Sequence, residues 1–261
     1  MNTILVWDLP NRIFHWIFAG SLALSMAIGF FVDDDSSLFR LHMLFGIIAL
    51  FILAVRIVLG VAGSRYSRFS SFPLQPREVF AYLSSAIFSK TPLYPGNNPG
   101  SAMAAVLMFL LVPALFITGM SRGGVRDLHE LFAWALLLTV FAHLGGLAWH
   151  TLRHKENIAL VMITGRRTGR PEDAISSAHV LWGGVILLAS IVWVTALFAG
   201  YDSEKGMVRL PITGLNLQLC TGEHGRNGSD SRKASRYSAD KSHYERGGRK
   251  GHRSADKHDD D

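Results

Sequence analysis

His129 and His143 stand fourteen residues apart in one apolar segment that also carries Phe132, Trp134 and Phe141. At about 1.5 Å of rise and 100° per residue, this spacing sets the two imidazoles about 21 Å apart along a helix and within about 40° of one face. A helix built this way offers one ligand near each surface of a bilayer. Neutral imidazole is a good ligand for iron, and an ionisable side chain inside a membrane span marks a functional site by default.

The elements that must position these residues are long and apolar. Nearly uncharged stretches run Ile13 to Val32, Leu41 to Ala62, Ser101 to Met120, Leu131 to Leu152 and Val180 to Tyr201. Each is close to the roughly 20 residues needed to span the hydrocarbon core, so the chain is expected to cross a membrane five times. The first stretch lacks a small-residue cleavage site and reads as a retained anchor. Short loops give the orientation, because Lys and Arg stay on the cytoplasmic side. Ten basic residues fall on one side: Arg12, Arg65, Arg68, Arg77, Lys90, Arg153, Lys155, Arg166, Arg167 and Arg170. The other side has three, Arg40, Arg122 and Arg126, beside Asp33, Asp34, Asp35 and Asp127. The expectation is a cytoplasmic N-terminus and an exported C-terminus.

The sequence pI near 9.7 does not indicate nucleic-acid binding. The positive charge is accounted for by the inside loops and a mixed-charge tail, and there is no aromatic and basic module to read bases. A single cysteine, Cys220, allows neither an internal disulfide nor a thiolate-held cluster. CTGEHG, from Cys220 to Gly225, lacks the second cysteine of a covalent haem attachment motif. The tail over 202–261 is rich in Gly, Ser and charge and is expected to be disordered, with His224, His243, His252 and His258 solvated. The loop Gly63 to Gly100 opens with basic and aromatic residues suited to the headgroup zone, and a short interfacial helix is expected over Arg77 to Ser89.

Threading the histidines through this topology produces two matched depths. His42, in RLHMLFG, and His129 fall near the outer surface, and His15, in VWDLPNRIFHW, falls near the inner one. His42 with His129 could hold one haem between two imidazoles, and a second haem could lie deeper. For the inner partner of His15, His143 and His150 both lie at suitable depth, about 21 and 31 Å from His129 against about 26 Å for His15 from the outer end of its own span. Gly20, Gly46, Gly145 and Gly146 leave room for a flat macrocycle against helix backbone. Arg56, fourteen residues from His42, reaches the depth of the inner site, where it could pair with haem propionates or snorkel to the surface. The third stretch has no histidine and carries Pro113, so it should pack rather than ligate.

The segments VWDLPNRIFHW, RLHMLFG, AVRIVLG, LHELFAWALLLTVFAH and KENIALVMITGRR resemble the bacterial cytochrome b561 family, which includes the b-type cytochrome subunit of nickel-iron hydrogenases. The resemblance covers residues 4–167. It implies an all-α integral membrane four-helix bundle over residues 1–178 holding two haems b; the fifth transmembrane helix expected over 179–201 and the polar tail beyond lie outside it. It implies His15, His42, His129 and His143 as the iron ligands, choosing His143 over His150, and Arg56 stands beside them as a candidate cofactor neighbour from its depth alone. The implied work is electron transfer across a bacterial inner membrane. One partner would be a quinone or quinol, with the end of the fourth span near His150 and Arg153 as the place to look, and the other a periplasmic c-type cytochrome or a hydrogenase-like subunit. GSRYSRF followed by PGNNPGSAM resembles a branch thought to exchange electrons with c-type cytochromes, although Asn97 stands where that branch commonly has histidine. Two rival readings share the architecture. One is a free-standing oxidoreductase of superoxide or ferric iron, drawing on Arg40, Arg122 and Arg126. The other is a haem-free membrane subunit.

Overall fold

The computed structural model of the chain describes residues 2–88, 94–121 and 125–219. Lys90, Arg122, Cys220 and the tail histidines lie outside the described residues. Five helices have the length and apolarity of spans: α1 (Leu9–Phe31), α2 (Phe39–Ala62), α4 (Pro99–Met120), α5 (Arg126–His154) and α7 (Val180–Ala199). Helices suit these sequences because a span satisfies its own backbone hydrogen bonds where no water can. The starts are written locally. Asp8 accepts from the Asn11 backbone N–H at 3.1 Å to cap α1, and Asn98 accepts from that of Ser101 at 2.8 Å to cap α4, each with a proline in the first turn.

α1 and α2 form one hairpin, α4 and α5 a second, and both turns lie at the same end of the bundle, termed here the hairpin end. The central core joins Phe14, Phe18 and Leu22 of α1 to Ala49, Ile52 and Leu53 of α2, with Val112 of α4 and Leu136 of α5. Packing is uneven. Leu136 and His150 are the buried residues of α5, whereas α2 buries eight residues along its length. α5 therefore leans on α4 and leaves its histidine-bearing length thinly covered by protein.

At the opposite, loop end, β1 (Asn2–Leu5) pairs antiparallel with β2 (Arg166–Gly169), Asn2 facing Gly169 and Leu5 facing Arg166. Trp7, Tyr66, Val161 and Ile175 pack beneath this ribbon. Gly165 follows the one-turn helix α6 (Val161–Thr164) with φ 76°, and its carbonyl accepts the N–H groups of Val6 and Trp7. A Cβ there would stand 2.6 Å from the Trp7 carbonyl oxygen, so the turn requires glycine. The indole of Trp16 donates to the Met162 carbonyl at 3.0 Å and Arg12 donates to that of Ile163, docking the segment on α1. The expected interfacial helix is α3 (Pro76–Phe88).

The expectation of disorder from residue 202 needs correction. Tyr201–Asp202, Met207–Arg209 and Asn216–Gln218 form a three-stranded antiparallel sheet, β3, β4 and β5. Val208 and Leu219 are buried against Leu44, Ile47 and Ile48 of α2 and Leu197 of α7. Apolar residues recurring from Met207 to Leu219 supply this burial. Arg40 ties the sheet to α2 by donating to the Ser203 carbonyl.

Candidate functional site

His42 is the fourth residue of α2 and His129 the fourth of α5, so both sit at the hairpin end. Their ring centroids are 6.2 Å apart at an interplanar angle of 74°. Imidazole nitrogen binds first-row metals at about 2.0–2.1 Å, so two rings on opposite sides of one metal have centroids about 6 Å apart. The pair is already at that spacing.

The same device holds each ring. Nδ1 of His42 lies 2.8 Å from the carbonyl oxygen of Ser25 on α1, and Nδ1 of His129 lies 3.1 Å from that of Leu115 on α4. A hydroxyl stands beside each contact, Ser25 Oγ at 3.3 Å and Thr118 Oγ1 at 3.1 Å. An Nδ1–H donated to a carbonyl fixes the neutral tautomer and leaves the Nε2 lone pair for a metal. A helical carbonyl has a second lone pair for such a donor, but the side chain four residues on tends to cover it, because Cα–Cβ bonds tilt toward the N-terminus. Here that residue is glycine in both helices, Gly29 after Ser25 and Gly119 after Leu115. A Cβ on Gly29 would stand 2.8 Å from His42 Nδ1, and one on Gly119 would stand 3.2 Å from His129 Cε1. The sequence reading missed these four residues. The signal that could have found them is the repeated Leu-His-x-Leu-Phe at Leu41–Phe45 and Leu128–Phe132, each opening the return helix of a hairpin.

Nearer the loop end, His15 of α1 and His143 of α5 are each half-buried. His15 also meets Trp16 edge-on, with centroids 5.3 Å apart. Cβ atoms built on Gly20, Gly145 and Gly146 would meet nothing within 4 Å, whereas one on Gly46 would touch Ser25 Oγ at 3.8 Å. Open space thus flanks α1 and α5, and Gly46 serves the α1–α2 contact.

His150 belongs to a different group. It is buried, stacks on His154 with centroids 4.4 Å apart, and has Nε2 3.9 Å from Glu156, which in turn pairs with Arg167 at 2.8 Å. Its Nε2 has no hydrogen-bond partner among the described residues. The ring borders a cavity of ≈ 420 Å³ between α3, α4 and α5 that also meets Tyr82, Asn98, His143 and Trp149.

Arg56 is buried with its guanidinium among Phe14, Phe69, Phe72 and Phe109, 4.9–5.7 Å from the four ring centroids. Its Nη1 is sealed from solvent without a hydrogen-bond acceptor among the described residues. Asp8 is buried and accepts from Ser67 Oγ at 3.3 Å.

This donor set suits haem. Among the described residues no three His, Cys, Asp or Glu side chains converge on a point, so a bare ion would be under-coordinated. Haem brings four nitrogens of its own and would need few further ligands from the protein, which paired imidazoles such as His42 and His129 could supply. The orphaned Arg56 Nη1 is a donor of the kind a propionate would satisfy.

An all-helical membrane bundle with facing neutral imidazoles has the architecture of a membrane b-type cytochrome. The chain belongs to the prokaryotic cytochrome b561 family, whose model matches residues 6–165. That match begins just after β1, ends just before β2 and stops short of α7. No curated protein and no solved structure matches the chain. The protein is thus a multi-pass membrane cytochrome of electron transfer that binds b-type haem.

Proposed function

We propose that the protein holds two haems b, one between His42 and His129 and one between His15 and His143, and moves electrons across the bacterial inner membrane between a quinone or quinol and a redox protein. The observation that carries this reading is the His42 and His129 pair, pinned by two backbone carbonyls at a spacing suited to one metal. Bound haem supplies a one-electron carrier whose potential responds to its ligands and to nearby charge.

The chain's own residues bind, orient and insulate. Ser25 and Leu115 carbonyls hold the outer rings in one tautomer, which raises the basicity of the ligating nitrogens. The fourteen-residue separation on α5 spaces the two ligand pairs by about 21 Å, most of the hydrocarbon thickness. The Phe cage around Arg56 keeps water from its charge, which favours the reduced form of a haem beside it. The cavity between α3, α4 and α5 has the apolar walls and few polar groups of a small-molecule site, and His150 offers it a hydrogen-bonding nitrogen. We place the quinone or quinol there. The basic loop segments put the loop end and N-terminus in the cytoplasm. The hairpin end and its β-sheet then face the periplasm, where the c-type cytochrome or hydrogenase-like subunit docks.

A pyridine haemochrome assay on the purified full chain tests the reading, with H42A and H143A measured alongside. Two haems b per chain, reduced to one in each variant, is the expected result. One haem in the wild type, or two retained in either variant, overturns the assignment.

A further inference from the structure

The fifth span does not pack evenly along its length. Near the hairpin end α7 meets α2, Phe51 stacking on Trp193 at 4.1 Å and 5° and Phe45 meeting Phe198 at 6.4 Å. At the loop end the start of α7 packs on α1, where a Cβ on Gly183 would stand 2.6 Å from the Leu9 side chain, and the segments that follow α2 and precede α7 enclose a pocket of ≈ 400 Å³. Ser64, Arg65, Arg68, Ser176 and His179 line it, and no acidic side chain does. The nearby carboxylates of Glu172 and Asp173 are engaged by Arg170 at 3.4 and 3.2 Å.

The cations are differently held. Arg65 is fixed by donating Nη1 to the Glu172 carbonyl at 3.1 Å and by lying 5.2 Å from the Tyr66 ring centroid. The Arg68 guanidinium has no hydrogen-bond or ion-pair partner among the described residues. α7 begins at the same pocket without a side-chain cap, and its N-cap residue His179 has φ 48°. The first N–H groups of a 20-residue helix thus add positive potential to that of the arginines.

The surroundings identify the anion. Val61 at the end of α2 is 74% exposed, and Val180, Leu181 and Trp182 at the start of α7 are 65%, 77% and 63% exposed. The pocket lies where two apolar spans end, which is the headgroup level of the bilayer, with bare apolar surface on its membrane side. A free phosphate would use the cations and leave this surface idle. A lipid uses both.

We propose that this pocket binds the phosphate of an anionic phospholipid, with its acyl chains along the exposed end of α2 and start of α7. Basic pockets between transmembrane helices are known to take such headgroups. The bound lipid would bridge the segments that follow α2 and precede α7, adding to the contact the fifth span already makes with α1.

Native mass spectrometry of the haem-loaded full chain tests this with phosphatidylglycerol, phosphatidylcholine and inorganic phosphate as probes. Phosphatidylglycerol should be retained over phosphatidylcholine, with apparent affinity about five-fold weaker in Arg68→Gln and weaker again in Arg65→Gln/Arg68→Gln. The haem absorbance of each variant checks its fold, and R68Q breaks no side-chain hydrogen bond or ion pair among the described residues. Equal retention of the two lipids, or of phosphatidylglycerol by wild type and R68Q, overturns the site. Displacement of the lipid by inorganic phosphate at matching concentration overturns the lipid assignment in favour of a free anion.

Discussion

Replacing Gly29 by alanine puts a methyl group where the His42 ring now lies. The new Cβ would stand 2.8 Å from Nδ1 and 2.9 Å from Cε1, against about 3.5 Å for an unstrained contact. The ring must therefore retreat by about 0.6 Å or more. The bond from Nδ1 to the Ser25 carbonyl, now 2.8 Å, lies along that retreat. Losing it removes about 0.5–1.5 kcal/mol of net hydrogen-bond stabilisation. Disturbing the group that orients a metal-bound histidine lowers affinity by about 10–100-fold, or about 1.4–2.7 kcal/mol. Gly29→Ala should thus lose haem from the outer pair while retaining it at the inner. The assay is haem content per chain after gel filtration, followed by potentiometric titration of the remaining absorbance. Gly119→Ala, with a milder contact of 3.2 Å, should shift the outer potential while keeping the haem. Gly184→Ala on α7, where a Cβ meets nothing within 4 Å, is the control. If G29A carries the wild-type haem content with both potentials unmoved, the ring does not ligate in the orientation described.

Arg56→Leu should leave thermal stability near or above that of wild type, because a buried charge is being replaced by a hydrophobe inside a phenylalanine cage. The same change should lower the potential of the inner haem, since a positive charge favours the reduced state, and two unchanged potentials would refute a role for Arg56 beside the cofactor. Asp8→Ala removes the α1 cap and the acceptor of Ser67 Oγ, and should cost about 0.5–2 kcal/mol, read as a lower Tm with unaltered haem spectra. Burial raises the Tyr66 phenol pKa, so the folded protein holds that proton more tightly than the unfolded chain does. Stability is then full below about pH 10 and falls as pH rises beyond it. Tyr66→Phe should remove this share of the alkaline loss, visible in Tm against pH, while costing about 1 kcal/mol at neutral pH for the lost 2.9 Å bond to the Asp173 carbonyl.

The spans were legible because a run of about 20 apolar residues has few other uses. The caps are equally local signals that the sequence reading passed over: Asp8 stands before Leu9-Pro10 and Asn98 before Pro99. What escaped the sequence depends on partners far away in the chain. β1 pairs with residues more than 160 positions later, and nothing in Asn2–Leu5 specifies β2. Arg56 read equally well as a propionate ligand or a snorkelling side chain, because its cage is assembled from α1, α4 and the segment after α2. The sheet at 201–218 was hidden by the polar composition around it, since Val208 and Leu219 are too few to raise a local average yet suffice to bury one face. The histidine depths came from helix arithmetic, but their orientation could not, because it rests on which carbonyl each ring meets.

The two hairpins solve that orientation problem in the same way, and the solution belongs to the backbone. In each, the fourth residue of the return helix is a histidine donating to a carbonyl of the outgoing helix, laid open by a glycine four positions later. The adjacent hydroxyls are less committed to the rings. Ser25 Oγ donates to the His42 carbonyl at 2.9 Å, and Thr118 Oγ1 donates to that of Ala114 at 2.8 Å, so each hydroxyl proton is already used within the helices. Ser25→Ala and Thr118→Val therefore remove secondary contacts and spare the carbonyl bonds. Both should keep full haem content and move the outer potential less than Gly29→Ala does. The reverse order of effects would mean that the hydroxyls orient the rings and that the glycines serve only helix packing.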